Sequence, residues 1–156
     1  MAVIVSLYFA RRDRKIRLAV TAGHRLMVTP GEKGRTEHIY IGIVNIGHRE
    51  AQITFIGWKW GIIKKQHAIV MFNEGLSSAL PIKLRDGEEA RYFTLLKDDN
   101  QILKDFAKGM KLLPCPRIQS YFVKAQVSTS TGVTFETRIE KGLRKMLVEV
   151  LKDMKK

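Results

Sequence analysis

Short runs of alternating apolar and polar residues organise most of the chain. In Lys15–Thr21, Ile16, Leu18 and Val20 fall on one side and Arg17 and Ala19 on the other. That period of two is the mark of a half-buried strand. Arg25–Thr29 continues it after Gly23, and the Pro30-Gly31-Glu32-Lys33-Gly34 stretch ends it as a loop. A β-branched run over Glu37–Ile46 stops at Asn45-Ile46-Gly47, a turn whose backbone Asn and Gly reach cheaply. Glu50–Trp60 is the next strand, with Ile53, Phe55 and Gly57 on one face. Gly61–Phe72 predicts a hairpin with a basic tip at Lys64-Lys65-Gln66-His67, and residues 73–78 a loop. Leu80–Leu84 and Ala90–Leu96 are expected to pair across Asp86-Gly87. Gln119–Ser128 and Val133–Ile139 meet at Thr129-Ser130-Thr131-Gly132.

The periodicity changes twice. Asn100–Met110 carries apolar residues at Ile102, Leu103, Phe106 and Met110, which predicts a helix ending before Pro114. Lys141–Lys155 places Leu143, Met146, Leu147, Val150, Leu151 and Met154 on one stripe, with Lys and Arg on much of the rest. That stripe predicts an amphipathic helix. The expected fold is mainly β: an immunoglobulin-like antiparallel β-sandwich with one inserted helix and one C-terminal amphipathic helix. The expected organisation is an apolar and basic N-terminal strand or membrane-proximal stub over 1–14, the sandwich over 15–139, and a packed helix over 140–156.

Charge changes this picture more than size does. The 156 residues include 28 Lys and Arg against 15 Asp and Glu, a formal net charge of +13. Such a field attracts polyanions: nucleic acid, anionic lipid or an acidic protein face. At the amino terminus, Ala2–Ala10 is apolar and Arg11-Arg12-Asp13-Arg14-Lys15 follows it. The apolar run is shorter than a membrane-crossing helix needs, and its order is the reverse of a secretory signal. Three readings stay open: a first strand, a tether whose basic flank meets anionic headgroups, or the end of a longer span. The expected location is cytoplasmic, with the inner face of the membrane as one possibility. Arg11, Arg12, Arg14, Lys15 and Arg17 are the candidate polyanion-binding residues. Trp58, Lys59, Trp60, Lys64 and Lys65 form an alternative, nucleic-acid-binding surface, because aromatics stack bases and cations hold phosphates.

Catalytic and metal motifs are absent from the sequence. His24, His38, His48 and His67 lack zinc-site spacing. There is no glycine-rich phosphate loop, and Ser130 lacks a nucleophile-elbow context. Cys115 is the single cysteine, set between Pro114 and Pro116, so no internal disulfide is possible. No cofactor, metal or catalytic residue is expected. A protein partner is expected, and the oligomeric state is left open.

Ile43-Val44-Asn45-Ile46-Gly47 with Leu84-Arg85-Asp86-Gly87-Glu88 resembles bacterial immunoglobulin-like adhesion or scaffold modules. The chain is also similar to small uncharacterised bacterial or phage-type proteins. In those, a membrane-proximal Tyr-x-Ala-Arg-Arg-Asp-Arg segment, here Tyr8–Arg14, precedes a sandwich that closes with a Thr-Ser-x-Gly hairpin, here Thr129–Gly132. The resemblance implies a sandwich and a non-enzymatic role in protein binding or scaffolding. It supplies no catalytic residues. The chain departs from it in lacking a full membrane span.

Overall fold

The structure, a computed structural model, describes residues 15–28, 35–61, 65–96, 101–109 and 116–154. Two antiparallel sheets account for most of them. The first has the order β1 (Leu18–Val28), β2 (Arg35–Asn45), β6 (Glu89–Leu96). In the second, β3 (Ala51–Trp60) is central. It pairs on one side with β7 (Lys124–Thr129), which pairs onward with β8 (Thr134–Arg138). On its other side it pairs with β4 (Gln66–Ile69) and β5 (Ile82–Leu84). The described helices are α1 (Gln101–Gly109), α2 (Pro116–Tyr121) and α3 (Lys141–Asp153).

Alternation determines what each sheet buries. Leu18 and Ala22 of β1, Ile39, Ile41 and Ile43 of β2, and Ala90, Tyr92 and Leu96 of β6 turn inward. Ile53, Ile56, Trp58 and Trp60 of β3 and Ala125 and Val127 of β7 join them in one buried cluster. Leu103 and Ala107 of α1, four residues apart, and Leu143, Leu147, Val150 and Leu151 of α3 belong to it as well. The apolar stripe of α3 therefore covers the chain's own core. Fully burying each such side chain is worth about 1.5–3 kcal/mol.

Two connections cross between the sheets at one end, and Asn45 ties them together. Its side chain is fully buried. Nδ2 donates to the carbonyls of Arg49 (2.8 Å) and Leu84 (2.9 Å), and Oδ1 accepts from the Gly47 N–H at 3.0 Å. Its backbone N–H donates to Glu88 and its carbonyl accepts from Gly87, at 3.0 and 2.9 Å. Gly87 holds φ at 77°, a region that an L side chain enters only with strain.

Other edges are closed by loops. Residues 71–79 run along the free side of β6: the Asn73 N–H donates to Phe93 O (2.8 Å) and the Ser78 N–H to Arg91 O (2.8 Å). Ser77 Oγ and Ser78 Oγ accept from the Phe93 and Arg91 N–H groups, and Thr94 Oγ1 donates to Met71 O. On the far side, the Glu140 N–H donates to Ala22 O of β1 at 2.8 Å.

The sequence-based strand plan needs four corrections. Leu80–Leu84 and Ala90–Leu96 do not pair: β5 pairs with β3 and β6 with β2, so Asp86-Gly87 turns a crossover between sheets. Gly61–Phe72 is not a hairpin in itself; β4 folds back on β3, with Trp60 opposite Gln66. Lys64 lies outside the described residues. Gln119 starts no strand, because Pro116–Tyr121 is a short helix and β7 begins at Lys124. Finally, a register irregularity between Ile53 and Phe55 shifts the alternation, so Ile53, Ile56 and Trp58 face inward while Phe55 is only half-buried.

Two outcomes test this architecture. Asn45→Ala orphans buried backbone groups and lowers unfolding free energy by about 3 kcal/mol in urea titrations. Asn45→Asp destabilises comparably, since a carboxylate cannot donate to Arg49 and Leu84 and carries a buried charge. In the same titrations Leu147→Ala costs about 2–4 kcal/mol, the range for a truncated core leucine.

Candidate polyanion-binding surfaces

The basic N-terminal segment enters the described fold at the end where the sheets cross. Arg17 offers its carbonyl to the Ile46 N–H at 3.0 Å. Gly47 packs so closely that a Cβ there would lie 3.1 Å from Arg17 Cβ. This contact fixes where the side chains of residues 15–17 leave the body. Lys15, Ile16, Arg49, Thr131 and Val133 line an open groove of about 410 Å³. Lys15, Arg17 and Arg49 are exposed, and so are the apolar Ile46 and Val133. Acidic groups share this end. Asp86 pairs with His48 (2.7 Å), Glu50 with Lys83 (3.6 Å), and Glu88 accepts from the Arg85 N–H. Arg11, Arg12 and Arg14 lie outside the described residues.

Arg49 is a groove residue that the sequence reading missed. It sits in a His48-Arg49-Glu50 turn, where charge looks like ordinary loop solvation. Its position four residues after Asn45 was the available signal, because the Asn45 side chain holds the Arg49 carbonyl.

The alternative surface is divided between two faces. Trp58 and Trp60 point into the core, 4 % and 9 % exposed. The structure thus corrects the expectation that they share a face with the lysines and can stack on bases. Trp60 Nε1 donates to Gln66 Oε1 at 2.8 Å. Lys59, between them, faces out of the sheet and donates to Glu136, which Lys124 reaches at 3.0 Å. Those two lysines, Lys59 foremost, hold the Glu136 carboxyl below its ordinary pKa. Lys65 is exposed.

The outer face of the first sheet carries a second network. Arg25 grips Glu140 through two hydrogen bonds of 2.7 and 2.9 Å and lies over the Tyr40 ring. Tyr40 donates to Glu89 at 2.9 Å, and Arg91 donates to the same carboxylate at 2.7 Å. The Arg91 hydrogen bond, then that from Tyr40, pulls the Glu89 pKa down, and Arg25 does the same for Glu140. Basic residues of α3 are partly engaged too: Arg144 stacks over Tyr121, 4.3 Å from the ring centre.

Among the described residues, no three His, Cys, Asp or Glu side chains gather where a metal ion could be held. None of the described helices is long and apolar enough to cross a membrane.

No family model matches the chain, and no curated protein does. Among solved structures it is similar to a Bordetella pertussis protein provisionally named ApaA, with 16 % identity, 80 % of this chain and 89 % of that one covered, and a TM-score of 0.37. A second structural-genomics target is 13 % identical, covers 82 % of this chain and 84 % of its own, and has a TM-score of 0.33.

The Lys59–Glu136–Lys124 cluster sets an acid-side signature. A carboxylate with a depressed folded pKa contributes stability that is present above its unfolded value and lost as pH falls through the folded one. Chemical denaturation from pH 7 downward therefore shows a loss below about pH 4.5, the ordinary value for Glu136. Glu136→Gln removes that share of the loss, and by releasing two lysines it strengthens retention on heparin.

Proposed function

We propose that the chain is a non-enzymatic scaffold module on an immunoglobulin-like sandwich, held at an anionic membrane surface by its basic end. Support for the fold comes from strand order. The orders β1-β2-β6 and β4-β3-β7-β8 are similar to the A-B-E and C′-C-F-G strands of such sandwiches, with β5 joined to β3 where a D strand would join E. β3 then takes the place of strand C, which carries a buried tryptophan in that fold, and Trp58 is buried on it. Among the described residues no three His, Cys, Asp or Glu side chains gather; a role in contact is our reading, since fold alone does not assign function.

The observation that carries the membrane reading is the mixed character of the crossover end. Lys15 and Arg49 line a groove with Ile16 and Val133, and the exposed Arg17 and Ile46 are joined by a backbone hydrogen bond at the same end. Cations next to exposed apolar side chains suit a headgroup boundary, where each Lys or Arg near the surface is worth about 1 kcal/mol. Arg11, Arg12 and Arg14 precede this end in sequence and extend the same charge.

The expected result is co-sedimentation with vesicles containing phosphatidylserine and none with pure phosphatidylcholine. Binding weakens as salt rises and the charges are screened. Replacing Arg11, Arg12, Arg14, Lys15, Arg17 and Arg49 with glutamine abolishes it. Binding that ignores salt, or that survives the replacements, refutes the assignment. Duplex DNA run in the same salt series shows whether lipid is preferred over nucleic acid.

A further inference from the structure

We propose that the open edge of β4 receives an extended, acidic and apolar segment of a partner protein as an added strand. The argument begins with what the other edges do. Residues 71–79 occupy the free side of β6. Glu140 bonds to the free side of β1. β8, the other end of the second sheet, packs beside β1. β4 ends the second sheet, and among the described residues nothing pairs with it on the side away from β3.

Its side chains are those of a docking edge. Ile69 is 79 % exposed and Met71 90 % exposed, the most exposed of the described large apolar residues. His67, Ile69 and Met71 alternate along the outward side, as Gln66, Ala68, Val70 and Phe72 are half-buried. Solitary edges are usually blunted by charge, proline or a covering loop; here the apolar pair is left bare. β4 lies close against β3. Gly57 lets it approach β3 so closely that a Cβ at residue 57 would lie 2.6 Å from the Ala68 carbonyl. Strand addition works on such a surface: backbone bonds give affinity, and alternate side chains give choice.

Charge selects the partner. Lys65 is exposed just ahead of β4, while the His67 ring within it is engaged by Gln126 Oε1 of β7 at 2.8 Å. The whole chain carries +13, so a second copy meets like charge, whereas an acidic strand is steered in. A carboxylate opposite Lys65, and branched apolar residues opposite Ile69 and Met71, complete the match. The site is remote from the crossover end. β3 meets β5 at Ala51–Ile53 and β4 at Gly57–Trp60, and its ten residues span about 30 Å. A membrane at one end and a partner strand at the other are compatible.

The test uses the full chain and fluorescent peptides that alternate valine with glutamate or valine with lysine. The expected result is saturable binding of the glutamate peptide, at least tenfold weaker binding of the lysine peptide, and slowed amide exchange at Gln66–Ile69. Ile69→Glu with Met71→Glu weakens binding of the glutamate peptide at least tenfold. Thermal midpoint and vesicle binding stay unchanged, because both side chains are exposed and far from the basic groove. No binding, equal binding of both peptides, or equal binding to the double variant overturns the proposal. Concentration-dependent dimerisation abolished by the double variant also overturns it, in favour of pairing between two copies.

Discussion

One buried amide governs how the two sheets are joined. Asn45 ends β2, and its side chain spans the departing strand and the returning one: Gly47 and Arg49 on the first, Leu84 on the second. A carboxamide offers two donors and an acceptor, and both kinds of group are in use here. No apolar residue could satisfy those backbone groups, and leaving buried polar groups unpaired is costly. The same short region sets the register on both sides, because the Asn45 backbone bonds to Glu88 and Gly87. β6 therefore starts where β2 ends, and their antiparallel ladder follows from that point. The basic end inherits its shape from this constraint. Arg17 and Arg49 are both tied to the turn that follows Asn45, Arg17 through Ile46 and Arg49 through the Asn45 amide, so the position of these cations depends on how that crossover is stapled.

Much of the strand plan was legible because alternation is a local signal. β1, β2 and the β7–β8 hairpin follow directly from period-two burial and from a turn ending at Gly132, with φ of 79°. The stripe of α3 was equally legible, and its Leu143, Leu147, Val150 and Leu151 are buried. Pairing was not legible, since a strand's partner depends on the whole topology. Ile82–Leu84 and Ala90–Leu96 flank an Asp-Gly turn, as hairpin strands do, yet their hydrogen bonds go to different sheets. The deciding groups, the Asn45 amide and the Leu84 carbonyl, stand 39 residues apart. The Trp58 surface failed for a related reason. Trp58, Lys59 and Trp60 are adjacent in sequence, but neighbours on a strand point to opposite faces. A cluster in the sequence thus becomes a buried pair of indoles and a lysine spent on Glu136. At Ile53–Phe55 an irregularity moved the phase by one residue, and no composition signal announces that.

The surplus of positive charge is also less uniform than composition suggests. Lys59 and Lys124 share Glu136, Arg25 is committed to Glu140, and Arg91 to Glu89. These pairs lie on the outer faces of the sheets and compensate charge locally. Lys15 and Arg17 lie at one end of the body, beside the strand crossings. Long-range attraction to a polyanion depends on the summed field, while tight contact depends on cations that can approach a phosphate without first breaking an ion pair. The outer sheet faces carry paired charge, while the crossover end mixes ion pairs with the exposed Lys15 and Arg17.

Edge management leads to the same division. Open sheets have to deal with the unpaired sides of their outer strands, and this chain does so with backbone already on hand. The segment between β4 and β5 leaves its own sheet to lie along β6 and then returns to pair with β3. The residue ahead of α3 bonds to β1 before the helix covers the core. Each device meets an edge of the first sheet: a run of bonds along β6, and one backbone bond at Ala22 of β1. The detour that shields β6 carries residues 73–79 along that strand instead of along β4, and the four-residue strand is left with Ile69 bare. Protection of one sheet and exposure of the other are therefore one structural choice. The length of the 70–81 connection follows from it: a direct β4–β5 turn would be shorter but would leave the β6 amides of Arg91 and Phe93 without partners.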